Sequence, residues 1–444
     1  MGGDLAPKAT LEGAVAAARD FHIDVVVVGD REVLARELGE YDLSGLAITL
    51  EHAPEIVAMD DSPIESVLAK PQSSIHVGLE LVKSGTVDGF VSAGNSGAVM
   101  AAAMAILGNL PGVDRPAIAS MVPTTAGLSL LIDAGANTEV KPLNLVQFAV
   151  MGSVYWRQVH QVAHPRVGIL SNGEESSKGT ELTRSAARTL QQMALHLNYI
   201  GYVEGRDINR AKADVVVTDG FTGNVTLKTM EGFASFLLGN LREVFGSGLL
   251  RRLLYFALFR HRLSAIRQRL DPAEYGGAPL LGVNGVAIIA HGSSNPRAIR
   301  NALRAAANES LVRHVNSEIV EVLTTIPASL MAKPTSARGF RAVLERMRER
   351  LHPGRDAHAL KRPEALPETT VQQGGIQSGR EIVLPVVARP KTGPINGEPP
   401  RSDTAISRKS TVQQALTNGL RTAEPEQSKR EEHDGNGGRP TKPI

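Results

Sequence analysis

The sequence predicts an α/β fold, a doubly wound and mainly parallel sheet with flanking helices, followed by a disordered C-terminal tail. Short runs rich in β-branched residues recur through residues 1–330, at 24–28, 89–92, 118–122, 128–133, 167–170, 214–218 and 286–290. Each run ends in small polar residues and is followed by a helix-like stretch, the alternation typical of βαβ units. Because ligands of such sheets bind beyond the carboxyl ends of the strands, the loops there are where we expect chemistry.

The composition sets limits on the function. The 444 residues are 42% hydrophobic and 21% charged, and 48 basic residues nearly balance 46 acidic ones. With aromatic residues at 4%, we expect no nucleic-acid partner, since bases would find few stacking surfaces. The chain has no cysteine, which excludes disulfides, a thiolate nucleophile and cysteine-ligated metals. The N-terminus lacks the features of a signal peptide, and no apolar stretch approaches the roughly 18 residues of a membrane span.

The C-terminal quarter differs from the rest of the chain. Residues 334–444 hold many of the 25 prolines and a single aromatic residue, Phe340. So little apolar material cannot offset the entropy of ordering the chain. We therefore predict one domain over 1–330 and a mostly disordered tail over 331–444, with a short amphipathic helix at 336–351.

The first loop of interest follows the strand at 89–92. It contains Asn95, Ser96 and Gly97, before a helix of small residues. Glycine lets backbone amides approach a ligand closely, and Asn95 or Ser96 could cap the helix or bind an oxyanion. The pattern fits a phosphate cradle or a simple tight turn.

The second loop, 171–180, follows the strand at 167–170. Lys178 stands beside small residues at a probable helix start, where it could neutralise a phosphate. Glu174 and Glu175 could act as acid and base, or could pair with Lys178.

Two further loops complete the set. In the loop at 219–224, Asn224 could cap the helix that follows. Alternatively, Asn224 and Lys228, which are four residues apart, could present their polar groups from one face of that helix. His291 directly follows the strand at 286–290, where it could stabilise an oxyanion, move a proton or make a structural hydrogen bond.

His160 and His164 are four residues apart, but no third metal ligand follows them in the sequence. We therefore expect no metal site there.

Residues 249–270 form a basic amphipathic segment. Six arginines and three aromatic residues occur in it without an acid. The segment suits an interfacial helix on anionic lipid, an acidic protein partner or a dimer helix. The residues proposed to make this membrane or partner contact are Arg251, Arg252, Phe256, Phe259, Arg260 and Leu263.

Taken together, the motifs resemble one known family. They are MGGD at 1–4, SAGNSGA at 92–98, RPA at 115–117, DAGAN at 133–137, NGEESSKG at 172–179, GYVEGRDI at 201–208, DVVVTDGFTGNVTLKTMEG at 214–232, YGGAPLLGVNG at 275–285 and HGSS at 291–294. In this order, over 1–330, they closely resemble the bacterial phosphate acyltransferase (PlsX) family.

The resemblance implies an enzyme that transfers a long-chain acyl group from acyl carrier protein to inorganic phosphate. The acyl phosphate would feed a membrane glycerol-3-phosphate acyltransferase in phospholipid synthesis. The resemblance also implies a fold similar to that of phosphate acetyltransferase and isocitrate-dehydrogenase-like enzymes. It further implies a cytoplasmic homodimer that is peripherally attached to an anionic membrane surface and uses no cofactor.

In this reaction phosphate is itself the nucleophile, so no catalytic Cys or Ser is required. We expect the amides around Asn95, Ser96 and Gly97, with Lys178 and Asn224, to hold phosphate against the thioester. His291, Lys228 or Asn284 would then stabilise the tetrahedral oxyanion.

Two departures from the family pattern stand out. Relatives place a β-strand before MGGD, whereas this sequence opens on the motif, so either residues lie upstream or the sheet lacks an edge or central strand. The tail also has no counterpart in the family.

Two other functions fit the sequence. One is a short-chain phosphate acyltransferase that uses acyl-coenzyme A. The other is a noncatalytic membrane scaffold anchored by 249–270.

Overall fold

The computed structural model describes residues 2–193, 197–246, 272–307, 309–326 and 389–390. The strands are β1 (Ile23–Gly29), β2 (Ile48–His52), β3 (Phe90–Ser92), β4 (Ala117–Thr124), β5 (Gly127–Ile132), β6 (Arg166–Ser171), β7 (Asn198–Glu204), β8 (Val215–Val217), β9 (Ala278–Leu281), β10 (Ala287–Ile289) and β11 (Arg389–Pro390). The helices are α1 (Lys8–Phe21), α2 (Arg31–Leu38), α3 (Pro63–Ala69), α4 (Ser74–Lys83), α5 (Ser96–Ile106), α6 (Pro142–His160), α7 (Glu181–Gln192), α8 (Gly205–Ile208), α9 (Gly220–Gly246), α10 (Pro296–Ala306) and α11 (Glu309–Thr325).

Eight strands form one mixed, mostly parallel sheet in the order β3-β10-β9-β4-β5-β8-β6-β7. Strands β3 and β10 are parallel, and so are β5, β8, β6 and β7 among themselves. The pairs β10–β9, β9–β4 and β4–β5 are antiparallel, so the two parallel groups run in opposite directions. The tight connection between Thr124 and Gly127 imposes the last antiparallel pair, because a short hairpin cannot join parallel strands.

Helices cover both faces of the strands, which confirms the predicted fold class. In β1, Val25 and Val27 pack with α1, α2 and α10, whereas Val26 and Val28 belong to the core beside α4 and α5. Farther along the sheet, α6, α7 and α11 pack on β5, β6 and β8. Strands buried on both faces read as continuous apolar runs, which is why the valine-rich segments were visible in the sequence.

A smaller sheet has the order β11-β1-β2. Strand β2 is parallel to β1, whereas β11, from the C-terminal quarter, is antiparallel to it. Within the predicted tail, 331–444, only residues 389–390 are described. The helix predicted at 336–351 and the basic segment 249–270, with its six named contact residues, lie outside the described residues.

Helix α9 crosses the sheet on the side where the site forms. Leu227 packs against two of the apolar cores, and Met230 packs against the core around β5 and β8. This packing carries Lys228, in the third turn of α9, towards the end of β10. Of the described helices, α9 included, none has the length and apolar character needed to span a bilayer.

Candidate functional site

Lys228 and His291 come together although 63 residues separate them. The Lys228 Nζ atom lies 2.9 Å from His291 Nε2 and 2.8 Å from a carboxylate oxygen of Glu231. Lys228 is on the exposed side of α9, and His291 follows β10 in an equally exposed loop. An ammonium and an imidazole are thus held side by side where a substrate can reach both.

Both ring nitrogens of His291 have partners nearby. Nε2 lies 2.9 Å from the Lys228 Nζ atom, whereas Nδ1 accepts a hydrogen bond from the Ser293 backbone amide at 3.2 Å and lies 2.7 Å from Ser293 Oγ. The imidazole is therefore fixed between Lys228 and Ser293. We call Lys228, Glu231, His291 and Ser293 the Lys228–His291 cluster.

A buried carboxylate organises the loop after β5. Asp133 is fully buried, and its side chain accepts hydrogen bonds from the backbone amides of Ile118, Gly135, Ala136 and Asn137. Burial raises the pKa of Asp133, and these hydrogen bonds oppose the rise. The DAGAN motif therefore forms a rigid loop, 133–137, around one carboxylate.

The N-terminus of α9 docks on this loop. The Gly220 amide donates to the Asn137 carbonyl at 2.7 Å, and a Cβ on Gly223 would lie 1.8 Å from the Asp133 carbonyl oxygen. Asn224 follows directly and lies against Gly135, where an added Cβ would be 3.4 Å from the Asn224 Cβ. Asn224 is exposed beside the loop. The close glycine contact places Asn224 and Lys228 on one accessible side of the helix.

The loop at 93–97 is built differently. Asn95 Oδ1 accepts from the Ala98 amide and caps α5, while Nδ2 donates to the carbonyls of Ala58, Met59 and Asp61. With Asn95 only 7% exposed, its side chain is committed to the framework. At Gly97 an added Cβ would meet the Pro63 ring at 2.7 Å. The amides of Ser96 and Gly97, at the first turn of α5, are the groups this loop offers to an anion.

The N-terminal segment links this loop to His291. The Asp4 amide donates to the Gly292 carbonyl at 3.0 Å. A Cβ on Gly3 would lie 2.8 Å from the Ala93 carbonyl oxygen and 3.3 Å from that of Gly292. The backbone at Gly3 thus fits tightly between the loops after β3 and β10 because glycine has no side chain.

Lys178 lies in the exposed loop that follows β6. Strand β6 is the neighbour of β8 in the sheet. In the loop of Lys178, Glu174 forms an ion pair with Lys212 at 2.8 Å. The predicted alternative in which Glu174 pairs with Lys178 is therefore wrong. Among the described residues, no carboxylate forms an ion pair with Lys178, which leaves its ammonium open to an anion.

Asn284 is not brought to the other predicted residues. It precedes β10, where its backbone amide donates to the Gly108 carbonyl, whereas His291 follows the same strand. The two residues thus lie at opposite ends of β10 within the chain. His160, part of the weak metal pattern, stacks on Trp156 with ring centroids 3.9 Å apart.

Sequence reasoning missed several residues of the site. Ser293 was inside the HGSS motif but was not assigned a role. Glu231 was detectable as an acid three residues from Lys228 on the same helix. Asp133 had no local signal beyond its motif, because its function depends on the amides that surround it.

Comparisons with known proteins show which family the chain is similar to. Residues 1–316 match the family model described as fatty acid synthesis protein, FA_synthesis. The chain is 51% identical over 323 residues to a phosphate acyltransferase of Citrifermentans bemidjiense, covering 73% of this chain and 91% of the relative. It is 50% identical over 325 residues to one of Geobacter sulfurreducens, covering 73% and 93% of the two chains.

Among solved structures, the EutD phosphotransacetylase from Staphylococcus aureus is similar with a TM-score of 0.44 and 16% identity, over 72% of this chain and 92% of that one. A family model that spans most of the chain, and relatives about half identical over nine-tenths of their length, show that this chain belongs to the phosphate acyltransferase (PlsX) family and is an acyltransferase.

Proposed function

We propose that this enzyme transfers a long-chain acyl group from acyl carrier protein to inorganic phosphate, as a step of phospholipid synthesis. The proposal depends chiefly on the Lys228–His291 cluster, which presents an ammonium, an imidazole and a hydroxyl on one exposed surface. These groups suit an anionic nucleophile and a developing oxyanion. No cysteine occurs in the chain, so the acyl group is not carried on a protein thiolate.

The reaction balances without a protein nucleophile. An oxygen of HPO₄²⁻ attacks the thioester carbonyl carbon, and a tetrahedral oxyanion forms. The carbon–sulfur bond then breaks, and the proton of the phosphate ends on the departing thiolate. The products are acyl phosphate and the free phosphopantetheine thiol.

The protein's part is to position the reactants and stabilise charge. We assign phosphate to the amides of Ser96 and Gly97, to Asn224 and to the Lys178 ammonium. Lys228, His291 and the Ser293 hydroxyl donate to the oxyanion. Asn95 supports this arrangement by fixing α5 rather than by touching phosphate. Asn284 has no assigned contact, because it lies at the other end of β10.

The first experiment mixes the purified enzyme with long-chain acyl carrier protein and phosphate, and follows free thiol and acyl phosphate together. We expect thiol release that requires phosphate and equals acyl phosphate formed. Equal or higher kcat/KM with short-chain acyl-coenzyme A would favour the short-chain enzyme. Vesicle binding without phosphate-dependent thioester consumption would favour the scaffold.

We also propose that the enzyme is a cytoplasmic homodimer that binds anionic membranes and carrier protein through 249–270. Helix α9, which precedes this segment in the chain, carries an exposed apolar stripe that supports such a contact; its residues are Phe221, Val225, Phe233, Phe236 and Leu237. A membrane glycerol-3-phosphate acyltransferase would take up the product.

Sedimentation with anionic and neutral vesicles tests the membrane contact, and equilibrium ultracentrifugation tests the dimer. We expect Arg251→Glu/Arg252→Glu to abolish binding to anionic vesicles while leaving the mass of the assembly unchanged. The matched control, Arg36→Glu/Arg188→Glu, changes exposed arginines elsewhere. Equal vesicle binding by both double variants would contradict the proposal.

A further inference from the structure

The loop that carries Lys178 closes on itself. The Gly179 amide donates to Asn172 Oδ1 at 2.9 Å, so the two ends of the loop are tied together. Between them, the Lys178 amide donates to the Glu175 carbonyl at 2.9 Å. Arg184 of α7 donates to the Gly179 carbonyl at 2.6 Å. Local hydrogen bonds therefore hold the second half of the loop.

The side chain of Lys178 lies across the first half of the same loop. A Cβ on Gly173 would be 2.7 Å from Lys178 Cγ and 3.2 Å from Lys178 Cδ, so the aliphatic stem of the lysine passes directly over this glycine. Such packing orients a long side chain while its charged end stays in solvent. The direction of the Lys178 ammonium therefore depends on where the backbone at 173–174 lies.

Lys212 holds that part of the backbone through Glu174. The Lys212 Nζ atom lies 2.8 Å from Glu174 Oε1 and 3.7 Å from Asp207 Oδ2. It also donates to the Tyr202 carbonyl of β7 at 3.5 Å. Asp207 is only 5% exposed, so Lys212 is itself fixed against the buried carboxylate of α8. Of the ion pairs that the described residues form, this one connects the loop of Lys178 to β7 and α8.

We propose that Lys212 and Glu174 are positioning residues for Lys178, because their ion pair sets the backbone on which the Lys178 side chain lies. This inference rests on the proposed function, which assigns the Lys178 ammonium to phosphate. Lys212 does not bind phosphate itself, since its ammonium already faces two carboxylates. The ion pair thus acts on phosphate binding through geometry and not through added charge.

The two members of the ion pair distinguish positioning from a simple change of charge. If charge alone acted, Glu174→Gln would lower KM for phosphate and Lys212→Met would raise it. Under the proposal both variants raise KM for phosphate, by about fivefold, the upper range for a partly exposed ion pair, while kcat stays within about twofold. Lys212→Arg keeps the charge and should hold KM within about twofold of wild type. Steady-state kinetics of the full-length chain at varied phosphate, with long-chain acyl carrier protein as donor, measure both constants.

A second substitution shows whether the effect passes through Lys178. In the Lys178→Met background, Glu174→Gln and Lys212→Met should each change KM for phosphate by less than about twofold, because no ammonium is left to position. The matched controls are Glu80→Gln and Lys83→Met, which break an exposed ion pair on α4 and should leave KM unchanged. Opposite changes of KM in Glu174→Gln and Lys212→Met, or full effects in the Lys178→Met background, would overturn the proposal.

Hydrogen exchange measures how firmly the loop is held without using the reaction. We expect the amides of Lys178 and Gly179 to exchange about threefold faster in Glu174→Gln and in Lys212→Met than in the wild-type chain, and at the wild-type rate in Glu80→Gln. Equal exchange in all these chains would overturn the role of the ion pair, whatever acyl transfer shows. Faster exchange combined with an unchanged KM for phosphate in Lys178→Met would instead refute the assignment of Lys178 to phosphate, and the positioning role with it.

Discussion

The loop at 93–97 and the Lys228–His291 cluster lie at the ends of two adjacent parallel strands, β3 and β10, but their polar side chains have different functions. In the loop, Asn95 is buried and holds four backbone groups. In the cluster, Lys228 and His291 contact each other and remain exposed. A polar residue in a glycine-rich motif can thus be framework, while the proposed reactive surface comes from residues distant in sequence.

The largest effect should come from separating α9 from the loop at 133–137. In Gly223→Ala the new Cβ would overlap the Asp133 carbonyl oxygen, so α9 must move and carry Lys228 away from His291. We expect the free energy of unfolding to fall by about 4 kcal/mol, measured by urea denaturation. Gly232→Ala on the same helix is the control, because nothing lies near its Cβ. Equal stability of the two variants would refute this docking.

The second largest effect should come from removing side chains of the Lys228–His291 cluster. Lys228→Met and His291→Ala should each lower kcat/KM by about 10²–10³-fold, as the loss of an oxyanion donor does, with the free energy of unfolding within about 0.5 kcal/mol of wild type. Phosphate-dependent thiol release measures the first quantity and urea denaturation the second. The controls are the exposed residues Lys8→Met and His164→Ala. Wild-type kcat/KM in both cluster variants would exclude them from catalysis.

Substitution of Asn95, in contrast, should lower the free energy of unfolding. Asn95→Ala loses the cap of α5 and three donated hydrogen bonds, so we expect the free energy of unfolding to fall by about 3 kcal/mol. Asn95→Ser keeps a capping oxygen and should lose about 2 kcal/mol. Asn240→Ala, on the exposed side of α9, should change stability by less than about 0.5 kcal/mol. An Asn95→Ala variant as stable as this control would make Asn95 a ligand residue.

The smallest effect should follow from Lys178→Met. The exposed ammonium contributes one screened charge to phosphate binding, so KM for phosphate should rise about tenfold, equivalent to about 1.4 kcal/mol, while kcat stays within about twofold. Steady-state kinetics at varied phosphate separate the two constants. Lys8→Met again serves as the control. An unchanged KM would remove Lys178 from the phosphate site.

Much of the fold could be read from the sequence. The run predicted at 24–28 is β1, and those at 118–122 and 128–133 are β4 and β5. Strand β9 was not predicted, because its four residues include a proline and no β-branched residue. The opposite directions of the two parallel groups were also missed, since strand direction depends on which distant strands become neighbours.

The candidate site was predicted less completely, for a physical reason. Motifs marked the loops, and Lys228 and His291 were both selected, but their contact depends on how α9 packs across the sheet. Asn284 and His291 are near in sequence, yet the intervening strand separates them. Spacing in the chain cannot report such distances.

By itself, the sequence determined the fold class, most central strands, the position of the loops at the strand ends and the family. These features depend on local hydrophobic patterns and on motifs in a fixed order. Only the tertiary structure decided that Asn95 is framework, that Lys228 meets His291, and that β11 pairs with β1. Those outcomes depend on burial and on contacts between segments far apart in the chain, which no local pattern encodes.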